Sequence, residues 1–413
     1  MRIKNSSFKL SNIAVALLCA ICICCLSLAV QRRLGFTVIL GMTAIYALLN
    51  INYYFRCDSQ EKTTLFFILV YAAICFLYKL LGISDAGAGI TTVYLFFVPY
   101  LVLVPIYRQL NDKQCRFIIA VCIATIVFTI LQNFALWRRL GGFQIHLYRQ
   151  GYLQVINTQY VSAIMLLSGI MICAFLKLKG SWVRFICIGV AILCIAFNLM
   201  ITQRAITTLL SVIMIPLLVM FNKEGTRNRS LQFFLLIFTL VICVLEYDVI
   251  LVLIARISGS ERIERRMSTI ITLLQTRSIS KVESGSLTER LRLIGMSINT
   301  FFGSFENFMI GVGDKIDYTQ VGGHGQFFDE FARYGIFGGL ISNYVVIRML
   351  KTARAISEVV RPTSLYLQLT VIFCVFLFRA LVGQIYAPSI GAVMFVIVPL
   401  VFRLLSMKDL EGE

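Results

Sequence analysis

Few side chains in this sequence can do chemistry, and they recur in apolar surroundings. His324, one of only two histidines, stands in "GGHGQFFDEFARYGIFGGL", residues 322–340, just ahead of Asp329, Glu330 and Arg333. Histidine titrates near neutrality, so it can take or give a proton. Arg204 in "LMITQRAITTLL", Arg290 in "SLTERLRLIGMSINTFF" and Arg379 in "FLFRALVGQ" carry planar guanidinium groups that match a phosphate or carboxylate. Charge is costly at membrane depth, so charged groups there are functional candidates by default. Several arginines with one histidine suit an anionic phosphate ligand and a proton to be moved. The competing roles are structural. Lys79, Arg204 and Arg379 can each snorkel to an interface, and His324 can close a helix end. Asp329, Glu330 and Arg333 read as a structural charge cluster, with Arg333 able to pair with Asp329 at four residues or Glu330 at three.

The elements that must hold these residues are membrane helices. The chain has 413 residues, 59% hydrophobic and only 14% charged, with a mean hydropathy of +0.86. Apolar runs of the length needed to cross a bilayer, about 17 to 25 residues, recur throughout. Twelve are found, at 10–30, 34–55, 64–82, 89–107, 115–137, 158–176, 185–203, 205–221, 232–254, 324–347, 363–382 and 384–402. The basic start (Arg2, Lys4, Lys9) before the first run resembles a signal peptide, but the run's length and the second run close behind it predict an uncleaved anchor.

Basic residues set the orientation, because short loops rich in Lys and Arg stay in the cytoplasm. Twelve spans with a cytoplasmic start place 20 of the 38 basic residues inside, among them Arg56, Arg108, Lys177, Arg229, Arg348 and Arg403. The short outer loops hold six: Arg32, Arg33, Arg138, Arg139, Arg149 and Arg204. Both termini are then cytoplasmic. Topology thus accounts for most of the net charge of +18, which argues against a nucleic-acid partner. The segment from Arg256 to Gly323 is too long for the charge rule to govern, and is expected outside. The expected organisation is helices over 1–254, an extracytoplasmic loop over 255–323 and helices over 324–413.

Within the loop, "ERIERRMSTIITLLQTR" (261–277) has helical apolar spacing opposite a charged face with Arg265 and Arg266, as in a helix lying on a membrane surface. "SLTERLRLIGMSINTFF" (286–302) opens with Ser286 and Glu289 in capping-box spacing and carries Leu287, Leu291, Ile294, Ile298 and Phe301 along one face. Arg290 borders that stripe and Arg292 points away from it. The glycine-rich link 306–326 follows no strand and precedes no lysine, so it is not a nucleotide loop. Its glycines predict a tight turn and close backbone approach. In a tenth membrane helix starting near His324, Phe328, Gly335, Gly338 and Ser342 share a small-residue face. Most of the thirteen cysteines fall inside apolar runs and none in the outer segment, so no disulfide framework is expected. The Cys19–Cys25 group lacks the polar surroundings a metal site needs.

The order of three motifs carries a resemblance. "TQRA" at the start of a span, "ERLRLIGMSINTFFGSFENFMIGVGD", then "GGHGQFFDEFARYGIFGGL" resemble the bacterial O-antigen polymerase and ligase superfamily, in particular the Wzy-type polymerases. The matching positions are Arg204, Arg290 or Arg292, Gly311 and Gly313 of the turn, His324, and Glu330, Gly335 and Gly338 of the helix that follows. The motifs cover residues 200–342, and the first half matches by topology alone. Many members read His-Asn or His-Ser, whereas this chain reads His324-Gly325-Gln326, which makes Gln326 the substitute. The resemblance implies an all-α, GT-C-like polytopic membrane protein acting on the outer face of the bacterial cytoplasmic membrane. It implies a glycosyltransferase that joins undecaprenyl-diphosphate-linked oligosaccharides into O-antigen, capsular polysaccharide or exopolysaccharide. His324, Arg204 and Arg290 are its expected catalytic residues, with Arg292, Arg379, Gln326, Arg265 and Arg266 expected to bind diphosphate or glycan. The diphosphate is already a good leaving group, so no cofactor and no metal is expected. The expected partners are the lipid-linked substrates, the bilayer, a flippase and a chain-length regulator. Ligase chemistry, with a lipid A core or other final carrier as acceptor, is the nearest alternative. A lipid-linked oligosaccharide transporter is another, although such proteins are often built from two related halves and none are visible here.

Overall fold

Apolar runs with few Gly and Pro interruptions become helices, and every element among the described residues is helical. The computed structural model describes residues 12–83, 88–140, 158–178, 181–198, 205–222, 286–313, 320–360 and 363–411. In chain order the helices are α1 Asn12–Leu26, α2 Leu28–Leu49, α3 Ile51–Phe55, α4 Ser59–Leu80, α5 Ala88–Leu103, α6 Asp112–Leu140, α7 Thr158–Lys177, α8 Val183–Phe197 and α9 Ala205–Met220. They continue as α10 Ser286–Phe302, α11 Phe305–Met309, α12 Gln326–Ile356, α13 Ser364–Val382, α14 Pro388–Ala392 and α15 Val398–Glu411. A 3-10 turn at Tyr107–Gln109 precedes α6, and a π-helical turn at Val393–Ile397 joins α14 to α15.

Six helical stretches are long and apolar enough to cross a bilayer: Leu28–Leu49, Ser59–Leu80, Asp112–Leu136, Gln159–Lys177, Ser364–Val382 and Pro388–Met407. Asn12–Leu26, Val93–Gln109 and Val183–Phe197 are apolar but shorter. The chain is therefore an α-helical membrane protein. The apolar run 232–254 and the amphipathic segment 261–277, with Arg265 and Arg266, lie outside the described residues. The gap expected between the first two runs is helical instead. The chain breaks at Ser27, whose hydroxyl caps α2 by accepting from the Val30 N–H at 3.4 Å, and turns again at Gly35 with φ +73°. A positive φ at that point needs glycine.

The chain divides into two compact units. The first comprises Met1–Leu166, Leu340–Val360 and Ile385–Glu413. Its centre is α5, where Phe96, Phe97 and Tyr100 pack with Tyr71, Tyr386 and Phe395 at ring-centroid distances of 5.0 to 6.3 Å. The last carbonyls of a helix have no partner within it. In α5 those of Leu101 and Val102 accept from the hydroxyls of Tyr54 and Tyr46 at 2.8 and 2.7 Å. Gly391 lets α14 lie against the Phe96 carbonyl, 2.3 Å from where a Cβ would stand.

The same unit holds a polar cluster around buried Glu61. Its carboxylate accepts from the Tyr107 hydroxyl and from Arg108 Nη2, each at 2.8 Å, and from the Asp58 N–H at 2.9 Å. Asp58 accepts in return from the Glu61 N–H, which completes the capping box that starts α4. Arg403 of α15 donates to the Tyr107 carbonyl at 2.7 Å and pairs with Glu358 at 3.2 Å.

The second unit comprises Leu167–Gly339 and Arg361–Gln384. Here α9 packs on α13, where the Gln368 amide donates to the Leu218 carbonyl at 3.0 Å. Gly169 of α7 approaches Met214 so closely that a Cβ would lie 2.7 Å from its Sδ. Lys177 at the end of α7 donates to the Ser364 hydroxyl at the start of α13 at 2.7 Å.

Candidate functional site

The site lies in the second unit and is built from α10, the glycine-rich link and the first turns of α12. The predicted apolar stripe of α10 is displaced by about one residue. Its buried line runs through Leu293, Ser297 and Phe301, while Ile294 and Ile298 are half-buried. The displacement has a polar cause. The Ser297 hydroxyl donates to Asp329 Oδ1 at 2.6 Å and accepts from the Gly322 N–H at 3.0 Å. Asp329 Oδ2 accepts from the Gly325 N–H at 3.1 Å, which satisfies a donor at the start of α12 and puts negative charge at its positive end. Both Ser297 and Asp329 are fully buried.

The link reaches this position by two reciprocal glycine contacts. At Gly335, α12 turns with φ +63° and ψ −168°. The turn releases the carbonyls of Ala332 and Arg333 from the helical pattern, and they accept from the N–H groups of Val312 and Gly313 at 2.9 and 2.8 Å. A Cβ on Gly335 would lie 2.2 Å from the Met309 carbonyl oxygen, and one on Gly311 would lie 2.5 Å from the Arg333 carbonyl. Beyond the turn, Gly322 crosses α10 where a Cβ would meet the Leu293 carbonyl at 2.0 Å. The close approach expected of these glycines is present. The turn at Gly335 separates Phe328 from Gly338 and Ser342, so the face expected of Phe328, Gly335, Gly338 and Ser342 does not run unbroken through all four.

His324 is half-buried at the end of this path, with Nδ1 2.9 Å from the Gly322 carbonyl oxygen. A carbonyl can only accept, so Nδ1 carries the proton and, in the neutral ring, Nε2 holds the lone pair. Gln326 is buried at the head of α12, where its side-chain amide donates to Glu330 and its N–H donates to the Gly383 carbonyl at 3.2 Å. Of the two partners the spacing allowed, Arg333 takes Glu330, at 3.4 Å.

Arg379, in the last turn of α13, is 3% exposed, so it does not snorkel. Its Nη1 lies 1.1 Å from where a Cβ on Gly383 would stand. Gly383 has an extended φ of −174°, so the space taken by the guanidinium, not backbone freedom, requires glycine there. Arg379 and Gln326 therefore meet at Gly383, one beside its Cα and the other on its carbonyl. Arg292 is exposed on α10, as expected of the side away from the stripe. Arg290 belongs to the same helix, its side chain outside the described residues, and Arg204 lies outside them altogether. The structure thus joins His324, Gln326, Asp329, Glu330 and Arg379 in one unit. Sequence reasoning missed Ser297, Gly322 and Gly383. The one available signal was a serine interrupting the apolar line of α10. No protein-family model matches the chain, and no curated protein matches it in sequence.

Proposed function

We propose that the chain is a glycosyltransferase of the bacterial cell envelope that polymerises undecaprenyl-diphosphate-linked oligosaccharide repeat units on the outer face of the cytoplasmic membrane. In this reading it has twelve spans with both termini cytoplasmic, and the segment 255–323 lies outside. The observation that carries the proposal is the hydrogen bond from His324 Nδ1 to the Gly322 carbonyl, which leaves Nε2 as a proton acceptor at the motif the resemblance singles out.

The acceptor hydroxyl loses its proton to His324 Nε2 as its oxygen attacks the anomeric carbon of the donor. The bond from that carbon to the diphosphate breaks, and undecaprenyl diphosphate leaves with the electron pair. Arg204 and Arg290, assisted by Arg292 and Arg379, stabilise the departing diphosphate through paired N–H donors. Gln326 orients the turn that carries His324, and Arg265 and Arg266 contribute further cationic contacts. The substrates are two lipid-linked glycans, and a flippase and a chain-length regulator are the natural companions.

Purified protein supplied only with lipid-linked repeat units should produce a ladder of longer lipid-linked chains. If donor is consumed only after a lipid A core or another final carrier is added, the protein is a ligase and not a polymerase.

A further inference from the structure

The corner between α10 and α11 takes no part in the reaction above, and it is built to hold two aromatic rings outward. Ser304 caps α11 by accepting from the Asn307 N–H at 3.0 Å. The Asn307 amide donates back to the Thr300 carbonyl at 3.1 Å, and the Thr300 hydroxyl donates to the Gln320 carbonyl at 2.5 Å. On this fixed corner Phe302 is 69% exposed and Phe305 80%, the highest value of any large apolar side chain among the described residues. The Phe302 ring is braced by Phe301 and Phe308, at 4.8 and 6.5 Å between centroids. Rings held out on a rigid corner favour an apolar medium over water.

Their depth follows from what α11 touches. The Met309 carbonyl oxygen and the Ile310 nitrogen lie 2.2 and 2.7 Å from where a Cβ on Gly335 would stand, so α11 is fixed at the level of that turn. From the turn, α12 continues through an apolar stretch to its next basic residues, Arg348, Lys351 and Arg354. At 1.5 Å per residue these lie about 20 to 29 Å further along the helix, within the roughly 30 Å of a hydrocarbon core. Basic side chains mark where a spanning helix leaves the core, so the turn, and α11 with it, stands level with lipid and not in bulk water. The neighbouring side chains agree, since Ile310 against the turn and Phe337 two residues beyond it are both exposed and apolar. So does the composition of α10. Glu289, Arg290 and Arg292 lie in its first half, and its last two residues are Phe301 and Phe302. A helix graded in this way directs its aromatic end toward a membrane.

We propose that the α10–α11 corner is seated in the bilayer, with Phe302 and Phe305 against lipid acyl chains just below the headgroups of the leaflet nearest the His324 turn. The inference needs α12 to cross the bilayer and needs nothing of the reaction. The corner then anchors at a fixed depth the turn to which Ser297 of α10 is bonded. The test places a fluorescent reporter on it. The chain has two tryptophans, Trp137 and Trp182. With both changed to phenylalanine, Phe305→Trp supplies the only indole in full-length protein reconstituted in phosphatidylcholine vesicles, and Phe302→Trp serves if that variant does not fold. Bromine on acyl carbons near the headgroup should lower the emission about twofold or more, as expected of a ring about 5–10 Å into the leaflet. Bromine near the chain ends should lower it less, and iodide on both sides of the membrane should have little effect. Quenching by iodide without quenching by bromolipid overturns the proposal, because the corner is then in water. Protection from both quenchers overturns it as well, because a protein surface, whether a second copy or another chain, then covers the rings.

Discussion

Ser297 and Asp329 form a fully buried hydrogen bond of 2.6 Å that joins α10 to the start of α12 and fixes the turn bearing His324. The same two side chains hold the N–H groups of Gly322 and Gly325. Asp329→Ala strands the Gly325 N–H, at a cost of about 1–3 kcal/mol when left unsatisfied in the interior, and leaves the Ser297 hydroxyl only the Leu293 carbonyl of its own helix, at 3.5 Å. Thermal unfolding in detergent should show the loss. Asp329→Asn keeps one acceptor and should fall between Asp329→Ala and wild type. Equal stability of all three would show that water satisfies these donors and that the bond is dispensable.

The turn at Gly335 yields a paired prediction. Gly335→Ala and Gly311→Ala each place a methyl group against backbone, which cannot move aside, and each also demands a positive φ of a non-glycine residue. The backbone conformation alone costs about 1–2 kcal/mol, and the clash adds to it. Both variants should be markedly less stable than Gly295→Ala, which should gain up to about 1 kcal/mol from helix propensity. Comparing the three unfolding midpoints checks this. Wild-type stability of Gly335→Ala would mean that α12 straightens without penalty.

These residues also show how far the sequence could be read. The extents of α7 and α13 follow from their apolar runs, 158–176 and 363–382, because predominantly apolar runs of about this length have few alternatives in a bilayer. The turn at Gly335 was not legible, since counting residues around a helix assumes a helix unbroken along its length. The requirement for Gly383 was hidden too, because its cause is the side chain of Arg379 and not a local backbone signature. His324 and Glu330 were legible as rare polar groups in an apolar context. The partners of Asp329 and His324 were not, because Ser297 and Gly322 resemble any serine or glycine until the chain is folded.

Arg379 and Gly383 should behave as one unit. Gly383→Ala drives the guanidinium from its place, and Arg379→Ala removes it. Displacing or stripping a buried charge from its surroundings typically costs about 3–5 kcal/mol. If the contact is the whole reason for the glycine, the double variant costs no more than the worse single variant. Additive losses in the double-mutant cycle would show that Gly383 matters for something besides Arg379.

In the first unit, Glu61 is the point to break. Burial pushes the Cys57 thiol up to about 12, and Glu61 beside it acts in the same direction, so Cys57 should label slowly with a maleimide at pH 8 in intact protein. Arg108→Ala removes the cation that bridges Asp58 and Glu61. It should destabilise the turn by about 1–3 kcal/mol and, because the Arg108 cation favours the Cys57 thiolate against Glu61 and Asp58, slow labelling of Cys57 further. Tyr107→Phe, which removes one hydrogen bond to Glu61, should have a smaller effect of about 1 kcal/mol. Unchanged labelling in Arg108→Ala would show that packing alone protects the thiol.

The proton acceptor gives the sharpest separation between a structural and a chemical role for His324. If His324 serves only to close the turn, its contribution is the bond from Nδ1 to the Gly322 carbonyl, and an asparagine side-chain N–H can supply much of that. His324→Asn should then retain both stability and transfer. If Nε2 accepts the hydroxyl proton, the same variant keeps its unfolding temperature and its affinity for the lipid-linked donor, which the arginines hold. Its rate of transfer should fall by about 10² to 10⁴, the usual contribution of general base catalysis. Arg204→Lys and Arg204→Ala complete the comparison. Lysine keeps the charge without the paired donors, so activity should fall for lysine and further for alanine, by about 10² or more. Turnover of His324→Asn at the wild-type rate, in protein of wild-type stability, would remove the histidine from the chemistry and leave the arginines as the only basis for the proposed activity.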